Sequence, residues 1–258
     1  MTCGLFDLTG QTALVTGASR GMGLAMALAM AECGAQVVIS SNDPESCAHA
    51  VAESGRKGPA LRSLHCDVSS RESLLSLAQD AIGLLGRIDV LCCNAGAAPH
   101  MGPIATATDA DWEHTMNVNL RSMLTLTAVV IPGMAKRRAG AVVLTSSLAG
   151  LRGNRSLGLY ALAKAGCAQL ARNLAVVWGP QNVRVNAISP GLIDTEFARP
   201  LTAQPEILAR RLALTPLRRM GTVDEIAGVV VLLASRAGGF ITGQNIVVDG
   251  GTLIGDGH

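Results

Sequence analysis

Short apolar segments alternate along this chain with longer segments that have the spacing of helices. The strand candidates read TALVT (12–16), QVVIS (36–40), LRSLHC (61–66), IDVLCC (88–93), AVVLTS (141–146), VRVNAI (183–188) and NIVVD (245–249). The helix candidates lie between them, near residues 21–33, 44–54, 70–84, 109–135, 156–178 and 223–235. Nearly continuous apolar strands are typical of parallel sheets covered by helices on both faces. The order therefore predicts an α/β fold, a doubly wound Rossmann-type parallel sheet of about seven strands.

The chain is predicted to be one domain over residues 1–258. Its length and its 49% content of hydrophobic residues suffice for a large buried core. The sequence contains no internal repeat, no low-complexity tract and no linker. Asp109, in front of an amphipathic run, is a candidate N-cap, and Pro44 suits the first turn of a helix.

Charge and hydropathy argue against nucleic-acid and membrane partners. The net charge of +2 is too small to attract a polyanion. The N-terminal MTCGLFDLTGQ lacks the basic start and apolar run of a secretory signal. The apolar runs at 24–31 and 227–234 are shorter than the ~20 residues that span a bilayer. We expect a soluble, cytoplasmic protein.

The seven cysteines are scattered and odd in number, with no CxxC pair. Neighbouring residues of a strand face opposite ways, so Cys92 and Cys93 suit neither a disulfide nor a metal site. We expect reduced thiols in the core and no bound metal.

A glycine-rich loop follows the first strand. That strand runs directly into TGASRGMG (16–23) and then into a helix. Gly17, Gly21 and Gly23 would allow a tight turn, a close approach of a pyrophosphate and close packing of the helix on the sheet. The helix N-terminus would offer free N–H groups to the phosphates. The spacing is G-x-x-x-G-x-G, and a tight turn without a ligand is the alternative interpretation.

The only tyrosine of the chain, Tyr160, lies four residues before Lys164, one of three lysines. Residues spaced i,i+4 share a helix face. A nearby ammonium stabilises a phenolate, and lowering a tyrosine pKa by ~3 units takes about 4 kcal/mol of differential interaction. The pair is therefore a candidate acid–base catalyst, and the alternative is a core tyrosine beside a snorkelling lysine.

Three further polar residues are candidates for the same crevice. Ser146 and Ser147 end a strand, where a serine hydroxyl could hydrogen-bond a substrate carbonyl. Asn119 lies in the middle of a long predicted helix, where asparagine is disfavoured. A buried helix asparagine either bonds its own backbone or holds a water. Each signal by itself also fits an ordinary structural role.

Together these motifs resemble the short-chain dehydrogenase/reductase family over essentially the whole chain. The matching segments are TGASRGMG, CDV (66–68), NAG (94–96), MNVNL (116–120), TSS (145–147), YALAK (160–164), SPGLIDT (189–195) and DGG (249–251). The resemblance implies catalytic roles for Asn119, Ser147, Tyr160 and Lys164. It implies cofactor contacts from Gly17, Ser19, Arg20, Gly21, Met22, Gly23, Ser41, Asn42, Asp67, Val68, Asn94, Ala95, Gly96, Tyr160, Lys164, Pro190, Gly191, Ile193 and Thr195.

The resemblance also implies a reaction, hydride transfer between a nicotinamide and a carbonyl or secondary alcohol. Tyr160 would donate a proton to the carbonyl oxygen in reduction and act as base in oxidation. Ser147 would orient that oxygen, and Lys164 would lower the tyrosine pKa and hold the nicotinamide ribose. Asn119 would anchor a water that resupplies protons on the lysine side.

The cofactor is predicted to be NADP(H), with NAD(H) possible. Ser41 stands where NAD-using relatives carry an aspartate that binds the ribose diol. Arg20 matches a basic residue that NADP-using relatives place against the 2′-phosphate. Asn42 stands where many of those relatives have a second arginine, and Asp43 follows it, so the preference is expected to be loose.

The substrate is predicted only as a small-molecule carbonyl or alcohol under a lid at about 192–221. The lining segments are mostly aliphatic, with Phe197 as their aromatic residue. Reduction of 3-oxoacyl groups on acyl carrier protein is an alternative: Arg138 matches one basic position of such relatives, whereas Gln181 falls on the other. A non-catalytic dinucleotide-binding redox sensor is a further alternative, disfavoured by the four catalytic matches.

Relatives pair through helices corresponding to 109–135 and 156–178 and through the last strand, which implies a homotetramer.

Overall fold

Parallel strands form the central sheet in the computed structural model, which describes residues 4–57 and 60–255. The strands β1 to β7 are Thr12–Thr16, Gln36–Ser41, Arg62–His65, Val90–Cys93, Gly140–Thr145, Val183–Pro190 and Asn245–Val248. They lie in the order β3-β2-β1-β4-β5-β6-β7, and every neighbouring pair is parallel. Because the winding direction reverses between β1 and β4, the predicted doubly wound sheet is confirmed.

Helices cover both faces of this sheet. In chain order, α1 to α9 are Gly21–Glu32, Pro44–Lys57, Arg71–Leu85, Asp109–Met116, Ser122–Arg137, Gly158–Trp178, Arg199–Thr202, Pro205–Ala213 and Val223–Ala234. The run predicted as one long helix is continuous from α4 to α5, but a π-helical turn at Asn117–Arg121 joins the two parts. That turn carries Asn119 and reshapes the helix beside the sheet.

The start of α4 corrects one sequence prediction. Thr108 is the N-cap: its hydroxyl accepts a hydrogen bond from the backbone N–H of Asp111 at 3.2 Å, and the Asp111 carboxylate accepts one from the N–H of Thr108 at 2.9 Å. This reciprocal pair is a capping box. Asp109 is instead the first helical residue, so its prediction as N-cap is wrong by one position. Pro44 begins α2, as predicted.

The core has two halves, one on each face of the sheet. One half joins α1 and α9, with Met30 and Val230 both fully buried. The other joins α3, α5 and α6, with Leu126 and Cys167 buried. Cys92 belongs to the first half and Cys93 to the second, so they point to opposite faces as predicted. Burial raises the pKa of the Cys92 thiol to about 12, which keeps it protonated and unreactive.

The helical run Asp109–Arg137 is long and apolar enough to cross a membrane by length and composition alone. More than half of its most apolar window, 56%, is buried inside the molecule. Side chains such as Met123 and Ile131 pack in the core. This burial is expected of a core helix. Length and composition alone do not distinguish a core helix from a membrane-spanning helix.

The predicted lid begins just after β6, and its first and last residues lie side by side. Its two ends pair with each other: the N–H of Asp194 donates to the carbonyl of Gly221, and the N–H of Gly221 donates to the carbonyl of Leu192, both at 3.0 Å. Helices α7 and α8 lie between these ends. A short 3-10 turn at Glu196–Ala198 precedes them and faces the carboxyl edge of the sheet.

Candidate active site

A cleft of about 600 Å³ opens at the carboxyl ends of the central strands, where doubly wound sheets bind their ligands. The structure brings all but two of the predicted site residues to its walls. Those on the walls are Gly17, Ser19, Arg20, Gly21, Met22, Ser41, Asn42, Asp67, Val68, Asn94, Ala95, Gly96, Ser147, Tyr160, Lys164, Pro190, Gly191, Ile193 and Thr195. The other two, Gly23 and Asn119, lie behind the walls and shape them.

The glycines of the loop after β1 are required by backbone shape and by close contacts. Gly17 and Gly21 have φ of +61° and +57°, a region that L-residues with a side chain rarely adopt. A Cβ on Gly17 would come within 2.6 Å of the Cα of Ala95 in the loop after β4. A Cβ on Gly23 would overlap the carbonyl oxygen of Gly17. The loop is therefore a thin backbone cradle that no larger residue could form.

The N-terminus of α1 faces this cradle and is open to an anion. Among the described residues, no side chain caps it and no acidic residue lies in its first turn. The first N–H groups of a helix have no intrahelical partners and carry partial positive charge. The cradle and the helix end together fit the pyrophosphate of a dinucleotide.

The loop after β4 is tied to the glycine loop by hydrogen bonds. The Thr16 hydroxyl accepts from the N–H groups of Asn94 at 3.1 Å and Ala95 at 3.3 Å. The Asn94 side-chain amide donates to the carbonyl of Gly17 at 2.9 Å. Two loops far apart in sequence thus form one rigid floor for the cleft.

The end of the cleft at β2 is polar and contains no carboxylate at the strand terminus. The Ser19 hydroxyl donates to the Ser41 hydroxyl at 3.3 Å, which also accepts from the N–H of Asp43 at 3.2 Å. Asp67 lies beside it, and hydrogen bonds from the backbone and hydroxyl of Ser69 lower its pKa, so the carboxylate is ionised at neutral pH. A ribose hydroxyl or phosphate at this end would meet hydroxyls, the Asp67 carboxylate and the Arg20 guanidinium.

Tyr160 and Lys164 lie on the inner face of α6, both nearly buried. The Lys164 Nζ is 5.5 Å from the centre of the Tyr160 ring and donates to the carbonyl of Thr145 at 2.7 Å. This bond anchors the ammonium at the end of β5. Within the described part of the chain, the Tyr160 hydroxyl has no hydrogen-bond partner, so it is available to a ligand in the cleft.

The two serines after β5 have different roles. The Ser146 hydroxyl is buried and donates to the backbone carbonyl of Lys164 at 2.6 Å, which joins β5 to α6. The sequence predicted that both hydroxyls face the crevice, but the Ser146 hydroxyl is used in this structural hydrogen bond. The Ser147 hydroxyl accepts from the N–H of Ala149 at 3.1 Å, and that contact leaves its proton available to a substrate oxygen.

The Asn119 side chain bonds to the backbone of Ala97 and Thr115. Its side-chain amide donates to the carbonyls of Ala97 at 2.7 Å and Thr115 at 2.9 Å, and its side-chain oxygen accepts from the N–H of Ala97 at 3.2 Å. The amide therefore holds the loop after β4 against the π-helical turn. Of the two roles that the sequence left open, the structure provides bonding to the backbone; the anchored water stays a prediction.

Around Tyr160 the cleft is apolar. The centre of the Phe197 ring lies 6.0 Å from that of Tyr160, tilted by 38°. Leu157 packs in one cluster with Tyr160, and Leu192 and Ala198 also line the cleft. Cys66, Val118 and Glu196 also line the cleft and lie in segments that the sequence singled out, although they were not named as site residues. His114 lies in none of those motifs, and only the packing of α4 brings it to the cleft.

Known proteins are similar to this chain in both sequence and fold. A family model described as enoyl-(acyl carrier protein) reductase matches residues 17–252. The dehydrogenase/reductase SDR family member 4 of Oryctolagus cuniculus is 36% identical over 247 residues, 95% of this chain and 94% of the relative. The chain belongs to the short-chain dehydrogenase/reductase family. Like its relatives, this family member is an oxidoreductase of alcohol and carbonyl groups.

Solved structures of this family agree closely with the fold. A 7α-hydroxysteroid dehydrogenase complexed with NADH and 7-oxo glycochenodeoxycholic acid superposes with a TM-score of 0.93 at 34% identity, covering 97% of each chain. A gluconate 5-dehydrogenase from Burkholderia cenocepacia J2315, in complex with NADP and tartrate, gives 0.91 at 30% identity, covering 96% of this chain and 97% of that one. The short-chain dehydrogenase/reductase neighbours therefore include both NADH and NADP complexes.

We expect Gly17→Ala to destabilise this family member by about 2 kcal/mol or more, because alanine at positive φ is strained and its Cβ meets Ala95. Thermal unfolding should show the loss as a fall of several degrees in Tm. Gly83→Ala, in α3 with no atom within 4 Å of the new Cβ, is the matched control and should be neutral or stabilising. Equal Tm values for the two variants would contradict the cradle.

Proposed function

We propose that this protein transfers a hydride between NADP(H) and a small-molecule carbonyl or secondary alcohol, with Tyr160 as general acid and base. The observation that carries the proposal is the position of the lone tyrosine of the chain at the carboxyl edge of the sheet. The centre of its ring lies 5.5 Å from the buried Nζ of Lys164. A bound nicotinamide would supply or accept the hydride.

The side chains around Tyr160 fit the proton chemistry. In reduction, Tyr160 donates its proton to the carbonyl oxygen, and the ammonium of Lys164 stabilises the phenolate that remains. Ser147 donates a hydrogen bond to the same oxygen and holds it in place. Because Lys164 is anchored on the Thr145 carbonyl, its charge stays beside the ring through the cycle. Asn119 supports this arrangement by fixing the loop after β4.

A 3-oxoacyl group on acyl carrier protein is a less favoured substrate. Arg138 lies between α5 and β5, at the opposite edge of the sheet from the cleft. Gln181, at the other position expected to be basic, carries no charge. Within one chain, neither residue could direct an acidic carrier protein to Tyr160. The apolar wall formed by Leu157, Leu192 and Phe197 suits a free small molecule with an apolar group beside its carbonyl.

We expect Tyr160→Phe to lower kcat by about 100-fold or more, since general acid–base catalysis contributes roughly 10²- to 10⁴-fold. NADPH consumption against a panel of diketones, aldehydes, keto sugars, cyclic ketones and 3-oxoacyl thioesters measures the loss. Cofactor affinity, followed by fluorescence titration, should change little in the variant. Near-wild-type turnover by Tyr160→Phe would contradict the proposal.

We expect NADPH to bind tighter than NADH by about three- to tenfold, a modest ratio for one exposed arginine against one phosphate. Ser41 puts no carboxylate at the ribose, and Arg20 lies at the same end of the cleft. Fluorescence titration of both reduced cofactors gives the ratio. NADH affinity equal to or above that of NADPH would refute the preference.

We expect a homotetramer, which light scattering can measure. Leu124 of α5 is 52% exposed, and Val176 and Val177 of α6 are 79% and 59% exposed. β7 is an edge strand and could pair with a copy of itself. A monomeric mass would count against this assembly. The cytoplasmic location stays a prediction from the sequence.

A further inference from the structure

Arg20 is held between two carboxylates that come from different parts of the chain. Its guanidinium lies 3.3 Å from the carboxylate of Glu196 in the lid and 3.8 Å from that of Asp43 after β2. All three side chains are substantially exposed at the mouth of the cleft. The positive charge expected to attract a 2′-phosphate is therefore already shared by two anions of the protein.

The two carboxylates are not equivalent. Asp43 has a structural role at the start of α2, where it accepts from the N–H of Ser46 at 3.0 Å and from its hydroxyl at 2.6 Å. These bonds, with a smaller contribution from Arg20, lower the Asp43 pKa. Among the described residues, Glu196 has only ionic partners: Arg20 and, at 3.9 Å, Arg199. Glu196 can therefore leave Arg20 without disturbing a helix start.

We propose that Glu196 is a specificity-determining residue that competes with the 2′-phosphate of NADP(H) for Arg20. The inference rests on the proposed function, because it takes the cleft to be the cofactor site. A 2′-phosphate that engages the guanidinium must displace the lid carboxylate from it. NAD(H) has no such group and leaves the ion pair intact. Glu196 thus reduces the difference in binding affinity between NADP(H) and NAD(H).

The size of the effect follows from exposure. Ion pairs between exposed side chains are weak, so losing this competitor should improve binding of the 2′-phosphate by roughly two- to fivefold. Salt should reduce the difference, since exposed charges are screened within about 10 Å at 0.1 M ionic strength. A buried competitor would have a larger effect and a weaker salt dependence.

The direct test compares two fragments that differ only in the 2′-phosphate, adenosine 2′,5′-bisphosphate and adenosine 5′-monophosphate, by calorimetric titration. We expect Glu196→Gln to tighten the bisphosphate by two- to fivefold and to leave the monophosphate unchanged. The control is Glu206→Gln, the same change of charge on α8 of the lid, where the described residues provide no ion-pair partner within 4.0 Å. It should alter neither affinity.

A second variant tests whether the effect passes through Arg20. In an Arg20→Gln background, Glu196→Gln should give no further gain for the bisphosphate. In turnover, Glu196→Gln alone should raise the ratio of kcat/KM for NADPH over NADH by the same two- to fivefold. These results would support the competition.

Other outcomes overturn it. An equal gain for both fragments, or a gain that persists without Arg20, would mean a general change of charge. Unchanged or weaker binding of the bisphosphate by Glu196→Gln would also exclude competition. If the unmodified protein binds neither fragment, the proposed cofactor site fails and this inference fails with it. If both fragments bind but Glu196→Gln does not change their relative affinities, the inference fails while the proposed cofactor site stands.

Discussion

The contact between the loops after β1 and β4 is the constraint on which the site depends. Gly17 lies so close to Ala95 that a single Cβ would not fit between the two backbones. The Thr16 hydroxyl and the Asn94 amide then join the loops by hydrogen bonds. With the floor of the cleft set in this way, the N-terminus of α1 can face a phosphate. The same edge of the sheet brings in the catalytic candidates from β5 and α6.

A buried cation is the second organising feature. Lys164 is among the most buried large side chains of the protein, and an ammonium is costly to remove from water. The Thr145 carbonyl and the nearby face of the Tyr160 ring offset part of that cost. The Ser146 hydroxyl holds the backbone of Lys164 to β5. An arrangement of this kind is consistent with a residue kept for its charge beside the tyrosine.

Weak electrostatics at the mouth of the cleft contrast with this rigid interior. Arg20, Asp43 and Glu196 form ion pairs among exposed side chains, which water and salt screen. Such pairs add little to stability, but they stand where a cofactor phosphate would be recognised. The floor and the buried pair form the rigid part of the site. Under the proposed function, the exposed charges at its mouth would adjust which cofactor is preferred.

The sheet, the glycine loop and the tyrosine–lysine pair are predictable from the amino-acid sequence alone, because each depends on a local pattern. Apolar strand runs, glycines at a strand end and an i,i+4 spacing are readable without tertiary contacts. The π-helical turn at Asn117–Arg121 and the scaffold role of Ser146 could not be predicted in this way. The N-cap was predicted one residue late, at Asp109, although the pairing of Thr108 with Asp111 is itself a local pattern. The place of Glu196 against Arg20 was also invisible, because these residues meet only when the lid folds back over the cleft. Contacts between distant segments depend on how the elements pack, and no local pattern encodes them.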